Sequence, residues 1–188
     1  MSEESYGKTT LRDAATVAAP DLPYQAPRPK SYAPNIGLIG CGGITSYHLD
    51  AYRALGQCVV AFCDNDEAKA IERRDTYAPE GEVYTDYRDV LARDDIAVVD
   101  IATHPEVRVP IIEAAINAGK HVLSQKPFVT DLAEGKRLCD LADTQGVKIA
   151  INQNGRWAPH LSYALKAIEA DVLGEVSSLD VTMQWDHT

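Results

Sequence analysis

Short apolar runs recur along the chain at residues 36–39, 58–63, 97–102, 121–124 and 147–151. They are rich in β-branched residues and apolar on both faces, the pattern of parallel strands covered by helices on each side. Stretches of helical period lie between them, at 44–55, 66–77, 87–93, 106–118 and 131–145. Gly56, Gly119 and Gly146 each end a helical stretch and lead into a strand, the usual way to stop a helix. Thr130 or Asp131, with Glu134 following, reads as the N-cap of the 131–145 helix. Repeated β-α units of this kind predict a doubly wound α/β sheet over residues 35–153.

The two ends of the chain read differently. Residues 1–34 are polar and Ala-rich, with prolines at 20, 23, 27, 29 and 34, and read as a flexible, mostly solvated arm. A packing role for Tyr24, Pro27, Pro29 and Tyr32 along a partner subunit is the alternative. Past Ile151, NQNGRWAPH is loop-like, with Asn154-Gly155 as a turn pair. A helix at 160–170 and an alternating strand at 175–185 follow, so residues 154–188 are expected to begin a second, α+β domain. One strand makes no sheet, so this one is expected to pair outside the chain or with a continuation of it.

The most informative stretch is Ile36-Gly37-Leu38-Ile39-Gly40-Cys41-Gly42-Gly43-Ile44-Thr45, with Asp64 following 22 residues after Gly42. A buried strand runs into Gly-x-Gly and a helix starts at once, the arrangement of a Rossmann dinucleotide site. Gly40 permits the tight turn, and Gly42 lets the backbone approach a pyrophosphate seated on the helix N-terminus. Asp64 is spaced to accept hydrogen bonds from an adenosine ribose and to repel a 2′-phosphate, which favours NAD over NADP. Asn65 rather than an arginine follows it. Thr45 stands where the third glycine of the fingerprint would be. Gly119-Lys120 is not a phosphate loop, because no Ser or Thr follows and the upstream glycine is missing.

Charge and cysteine content narrow the classes. The formal net charge of −10 argues against a nucleic-acid or anionic-membrane surface. No apolar stretch is long enough to span a bilayer. Cys41, Cys58, Cys63 and Cys139 form no Cys-x-x-Cys pair and no metal-ligand cluster with histidine, so no metal site is expected. Reduced thiols and a cytoplasmic location follow. Cys41 lies in the phosphate turn, where a small tolerated residue is a better reading than a reactive thiol.

With IGLIGCGGI, His48, Asp64, YTDYRDVL, VVDIAT, AGKHVLSQKP and NQNGRW in view, the chain resembles the N-terminal part of the Gfo/Idh/MocA family, over roughly residues 35–185. The resemblance implies NAD-dependent oxidation of a hydroxyl on a sugar, cyclitol or related polyol, in a protein that is a homo-oligomer when full length. It places Gly40, Cys41, Gly42, Gly43 and Ile44 at the pyrophosphate and Asp64 at the adenosine ribose. Ala102, Thr103 and His104 would lie along the cofactor. Gln125 and Lys126 stand for the family's Glu-Lys-Pro motif, with Lys126 the catalytic lysine near the nicotinamide ribose and the substrate hydroxyl. Asn154, Arg156 and Trp157 match the loop beside the nicotinamide. His48 matches a family position but reads as packing or capping.

Several positions depart from the family pattern. Gln125 replaces a Glu, His104 stands where Pro is usual, and Arg108 takes a place where His is common. These departures bear on the substrate more than on the fold. The family's Asp and His catalytic partners from the second domain have no counterpart up to Thr188, so the chain is expected to bind cofactor yet lack most of a substrate pocket. A non-catalytic NAD-binding sensor on the same fold is the alternative. A methyltransferase reading leaves Gln125-Lys126-Pro127 and the NQNGRW loop unexplained.

Overall fold

The computed structural model describes residues 18–27, 29–182 and 184. These fall into two compact units, one spanning Pro27–Arg156 and one holding the described residues of Met1–Ala26 and Trp157–Thr188.

The larger unit is a parallel six-stranded sheet with helices between the strands. Its elements in chain order are β1 (Asn35–Ile39), α1 (Thr45–Leu55), β2 (Cys58–Cys63), α2 (Glu67–Tyr77), β3 (Glu82–Tyr84), α3 (Tyr87–Leu91), β4 (Ile96–Ile101), α4 (Pro105–Asn117), β5 (His121–Gln125), α5 (Leu132–Gln145) and β6 (Ile149–Asn152). The strand order is β3-β2-β1-β4-β5-β6. Chain progression therefore reverses between β1 and β4, and at such a switch point a crevice opens beyond the carboxyl ends of the strands.

Burial on both faces follows from the apolar runs. Ile39, Ala61, Val99, Ile101, Ile112 and Ile116 lie in a core on one side of the sheet, and Leu38, Val59, Phe62 and Leu49 in a core on the other. The cap readings hold in detail. Gly56 and Gly146 take left-handed φ values of 67° and 68°. Asp131 accepts from the N–H of Ala133 at 2.7 Å and of Glu134 at 3.4 Å.

Three differences from the sequence pattern have physical reasons. β3 escapes it because Glu82-Val83-Tyr84 is a three-residue edge strand with a charged member and no apolar alternation. β6 starts at Ile149 rather than at 147, because the Val147 N–H is already spent on Ala142 O at 3.0 Å, closing the end of α5. Residues 175–182 form no strand, although they alternate as one would. No described strand stands in the smaller unit to complete a ladder with them.

That smaller unit contains α6 (Pro159–Glu169) and the extended stretch before Pro27. Residues of the expected solvated arm are hydrogen-bonded here. Ser162 Oγ donates to Tyr24 O at 2.6 Å, Tyr163 Oη donates to Pro20 O at 2.7 Å, and the Tyr24 and Tyr163 rings meet edge to face. The arm's residues 1–17 lie outside the described residues. No helix among the described residues is long and apolar enough to cross a membrane.

Candidate functional site

The turn after β1 is shaped by its neighbours. Gly40 adopts φ +90°, and a Cβ there would stand 2.9 Å from the Ala102 carbonyl carbon, so the turn and the end of β4 touch through backbone alone. Its N–H donates to Cys63 O at 2.7 Å, and the Ala102 N–H donates to Ile39 O at 2.8 Å. Three strand ends are thereby stitched together under the turn. A Cβ at Gly42 or Gly43 would meet nothing within 4 Å. The sheet-facing side of the turn is thus closed to side chains and its outer side is open, as a backbone approached by a phosphate requires.

Thr45, at the position of the third glycine, makes a local contact of its own. Its Oγ1 donates to Gly42 O at 2.6 Å, fastening the turn to the start of α1. Asp64 fastens the other side, its Oδ2 accepting from the Cys41 N–H at 2.8 Å and its Oδ1 from the Asp66 N–H at 3.0 Å. The Cys41 side chain points inward, Sγ donating to Cys63 O at 3.6 Å. Burial first, and the Asp64 charge next, push the Cys41 thiol up to about 12. Cys63 is also raised to about 12, by burial and the carboxylates of Asp64, Asp86 and Asp89. Neither is a nucleophile near neutral pH.

Beyond this turn lies a crevice of about 480 Å³. Of the residues singled out in the sequence, Gly40, Gly42, Asp64, Ala102, Thr103 and His104 line it. His104 stands at the N-cap of α4, and the Thr103 Oγ1 is buried there without a partner. Cys41, Gly43 and Ile44 belong to the same turn but are not among the lining residues. Asn65, Lys69, Tyr87 and Val107 also line it, and the sequence reading gave none of them a place in the site. Lys69 and Val107 each lie about one helical turn beyond a recognised strand-end motif, and only that spacing could have pointed to them. The open glycine turn, the orphan hydroxyl and the acid at the second strand's end suit a dinucleotide. A second cavity of about 470 Å³, lined by Tyr52, Arg53 and Tyr77, lies at the amino end of β2 with none of these features.

Gln125, Lys126 and Pro127 follow at the carboxyl end of β5, on the same edge of the sheet. Lys126 is exposed. Gln125 is buried, and its Oε1 accepts from the Lys126 N–H at 2.6 Å. Its Nε2 lies 3.2 Å from His48 Nε2, and Asn152 Nδ2 of β6 lies 2.9 Å from the same nitrogen. His48 Nδ1 is 2.8 Å from Asp100 Oδ2, which also accepts from Tyr52 Oη at 2.8 Å. The partners assign the roles: Nδ1–H donates to the carboxylate and Nε2 accepts from the two amides. Burial, then the Asp100 charge, pushes the Tyr52 phenol well above its usual range.

The packing role expected of His48 is thus a specific one. It ties β4, β5 and β6 together beneath the Lys126 turn. Arg108, on the first turn of α4, fastens the turn from the other side by donating to the main-chain oxygens of Thr103, Gln125 and Pro127. Asn154 and Arg156 lie in the 3-10 turn Asn154–Trp157 just after β6, whereas Trp157 falls in the smaller unit. Among the described residues, no cluster of His, Cys, Asp or Glu is placed to hold a metal.

Comparison with known proteins agrees with this geometry. The family model described as an oxidoreductase family with an NAD-binding Rossmann fold matches residues 34–153. The chain is 30% identical to D-apiose dehydrogenase of Paraburkholderia graminis over 138 residues, 73% of this chain and 36% of that protein. It is 34% identical to inositol 2-dehydrogenase of Salmonella typhimurium over 115 residues, 60% of this chain and 34% of that protein. The chain thus spans about a third of the length of these relatives. A 3-ketoreductase from Actinomadura kijaniata, solved with NADP and TDP-benzene, superposes with a TM-score of 0.68 at 28% identity, covering 77% of this chain and 46% of that one.

Proposed function

Because the chain belongs to the Gfo/Idh/MocA family of NAD-binding oxidoreductases, we propose that it is the cofactor-binding part of an NAD-dependent dehydrogenase acting on a hydroxyl-bearing carbon of a sugar, cyclitol or related polyol. The observation that carries this reading is the crevice at the strand switch point, walled by Gly40, Gly42 and Asp64 and sharing its sheet edge with Lys126. The relatives named for apiose and inositol support the substrate class.

In this reading the backbone of Gly40–Ile44 holds the diphosphate, and Thr103 and His104 flank the chain of the cofactor. Asp64 accepts from the adenosine ribose. Its carboxylate is tied by two backbone N–H groups and cannot swing aside, so a 2′-phosphate would meet a fixed negative charge. Lys69 reaches into the same wall, with Asp66 as its counter-ion at 3.4 Å. NAD supplies the hydride acceptor when bound. Lys126, exposed on its tethered turn, polarises the reacting oxygen and relays its proton. Asn154 and Arg156 border that end of the site.

Parallel calorimetric titration with NAD⁺ and NADP⁺ tests the proposal. Saturable binding with a preference for NAD⁺ is expected. Failure of both cofactors to bind would overturn it.

A further inference from the structure

Arg108 has no counter-ion suited to its burial. It is 1% exposed, and its described hydrogen bonds all run to main-chain oxygens: Gln125 and Pro127, on either side of Lys126, and Thr103. Its Nε is buried without a partner. Three carbonyl dipoles orient the guanidinium but bring it no net charge. Asp100 is the one buried acid among the described residues, and it is committed to His48 and Tyr52. Gln125, whose side chain is engaged with His48 and the Lys126 N–H, brings the turn no charge. Glu106, exposed on the same helical turn as Arg108, is the carboxylate that acts on it. Burial nevertheless draws the guanidinium pKa below its ordinary value. Arginine stays protonated in proteins, so the charge persists. Lys126 adds a second cation to the same turn.

We propose that Arg108 sets the redox preference of the nicotinamide cofactor, its fixed cation beneath the Gln125-Lys126-Pro127 turn favouring the reduced form over the oxidised one. This rests on the reading of that turn as the nicotinamide end of an NAD site. The oxidised ring carries one positive charge, which is lost when a hydride, a proton with two electrons, is added to it. A buried cation close by penalises the charged form and leaves the neutral form alone. An oxidised nicotinamide held there would be biased toward accepting hydride: the hydride would leave a carbinol carbon for the ring, the hydroxyl proton would be released, and a carbonyl and the neutral ring would remain.

The test is calorimetric titration of this chain with NAD⁺ and with NADH, in the wild type and in Arg108→Lys, Arg108→Gln and Arg108→Met. The wild type is expected to bind NADH more tightly than NAD⁺. Loss of the charge in the Gln and Met variants should move the affinity ratio toward NAD⁺ by on the order of tenfold, the scale of one unit charge acting on another in a partly desolvated site. Arg108→Lys should keep the wild-type ratio. A clamp with a purely structural role predicts that the Gln and Met variants weaken both cofactors equally, and an unchanged ratio overturns the proposal. The wild-type ratio decides on its own if those variants do not fold: NAD⁺ bound as tightly as NADH also overturns it. Binding of neither cofactor to the wild type defeats the dinucleotide reading itself, and this inference with it.

Discussion

Asp64 Oδ2 accepts a hydrogen bond from the Cys41 backbone N–H at 2.8 Å, so the acid that ends β2 is also a strut of the glycine turn after β1. The residue expected to read the ribose is therefore held by the loop expected to hold the diphosphate. On the proposed reading, cofactor choice and turn geometry would be coupled through a single carboxylate.

Separating those two roles takes two substitutions. Asp64→Asn keeps an oxygen for the Cys41 N–H and removes the charge, so it should bind NADP⁺ better while losing little stability. Asp64→Ala removes both and should weaken NAD⁺ by about tenfold, with about 1–2 kcal/mol lost from folding. Calorimetry with both cofactors, beside urea unfolding, reads the difference. An unchanged cofactor preference in both variants would remove Asp64 from the site.

The buried network beneath the Lys126 turn should be a large stabiliser. His48→Leu leaves the fully buried Asp100 with Tyr52 alone and strands the amide groups of Gln125 and Asn152. A loss of about 2–4 kcal/mol is expected in chemical denaturation. A loss below about 0.5 kcal/mol, the scale of an ordinary surface substitution, would show that the network does not hold the strand ends together.

The sheet was legible because its strands are buried on both faces, which leaves uninterrupted apolar runs such as CVVAFC and AVVDIA. Glycine stops and the Asp131 cap marked the helices between them for the same local reason. Non-local relationships were not legible. Nothing near Arg108 in sequence says that its donors reach the carbonyls of Gln125 and Pro127, 17 and 19 residues on. Asp100 sits in an apolar run, and its partner His48 lies 52 residues earlier. Across 175–182 the alternation misled because it records only which positions differ in polarity, while a strand also needs a partner to complete its ladder, and none of the described strands supplies one.

The two inward thiols give a pH dependence with a definite sign. Cys41 and Cys63 have folded-state values raised to about 12, above the ordinary 9.0. Both are protonated in either state below pH 9, so the stabilisation they carry is fully present there. Between pH 9 and 12 the unfolded chain releases these protons and the folded one does not, so stability falls as pH rises. The slope approaches about 1.4 kcal/mol per pH unit for each thiol. The same protection should make Cys41 and Cys63 resist iodoacetamide at pH 8 while the exposed Cys58 and Cys139 react, as mass spectrometry of peptides would show. Rapid alkylation of Cys41 would mean that the turn opens far more readily than its hydrogen bonds allow.

Gly40 and Gly42 lie two residues apart and should fail in opposite ways. Gly40→Ala forces a Cβ to within 2.9 Å of the Ala102 backbone at a φ of +90°, so it should cost folding stability, by about 1–3 kcal/mol or more. Gly42→Ala meets no atom within 4 Å and has no positive φ, so the thermal midpoint should hardly move. In the proposed reading its methyl group instead enters the space that the diphosphate would take, and NAD⁺ affinity should fall at least tenfold. Differential scanning fluorimetry and NAD⁺ titration of the two variants separate the outcomes. If Gly42→Ala binds NAD⁺ as well as the wild type, the open side of the turn is not where the diphosphate sits, and the cofactor must be placed elsewhere on the sheet edge.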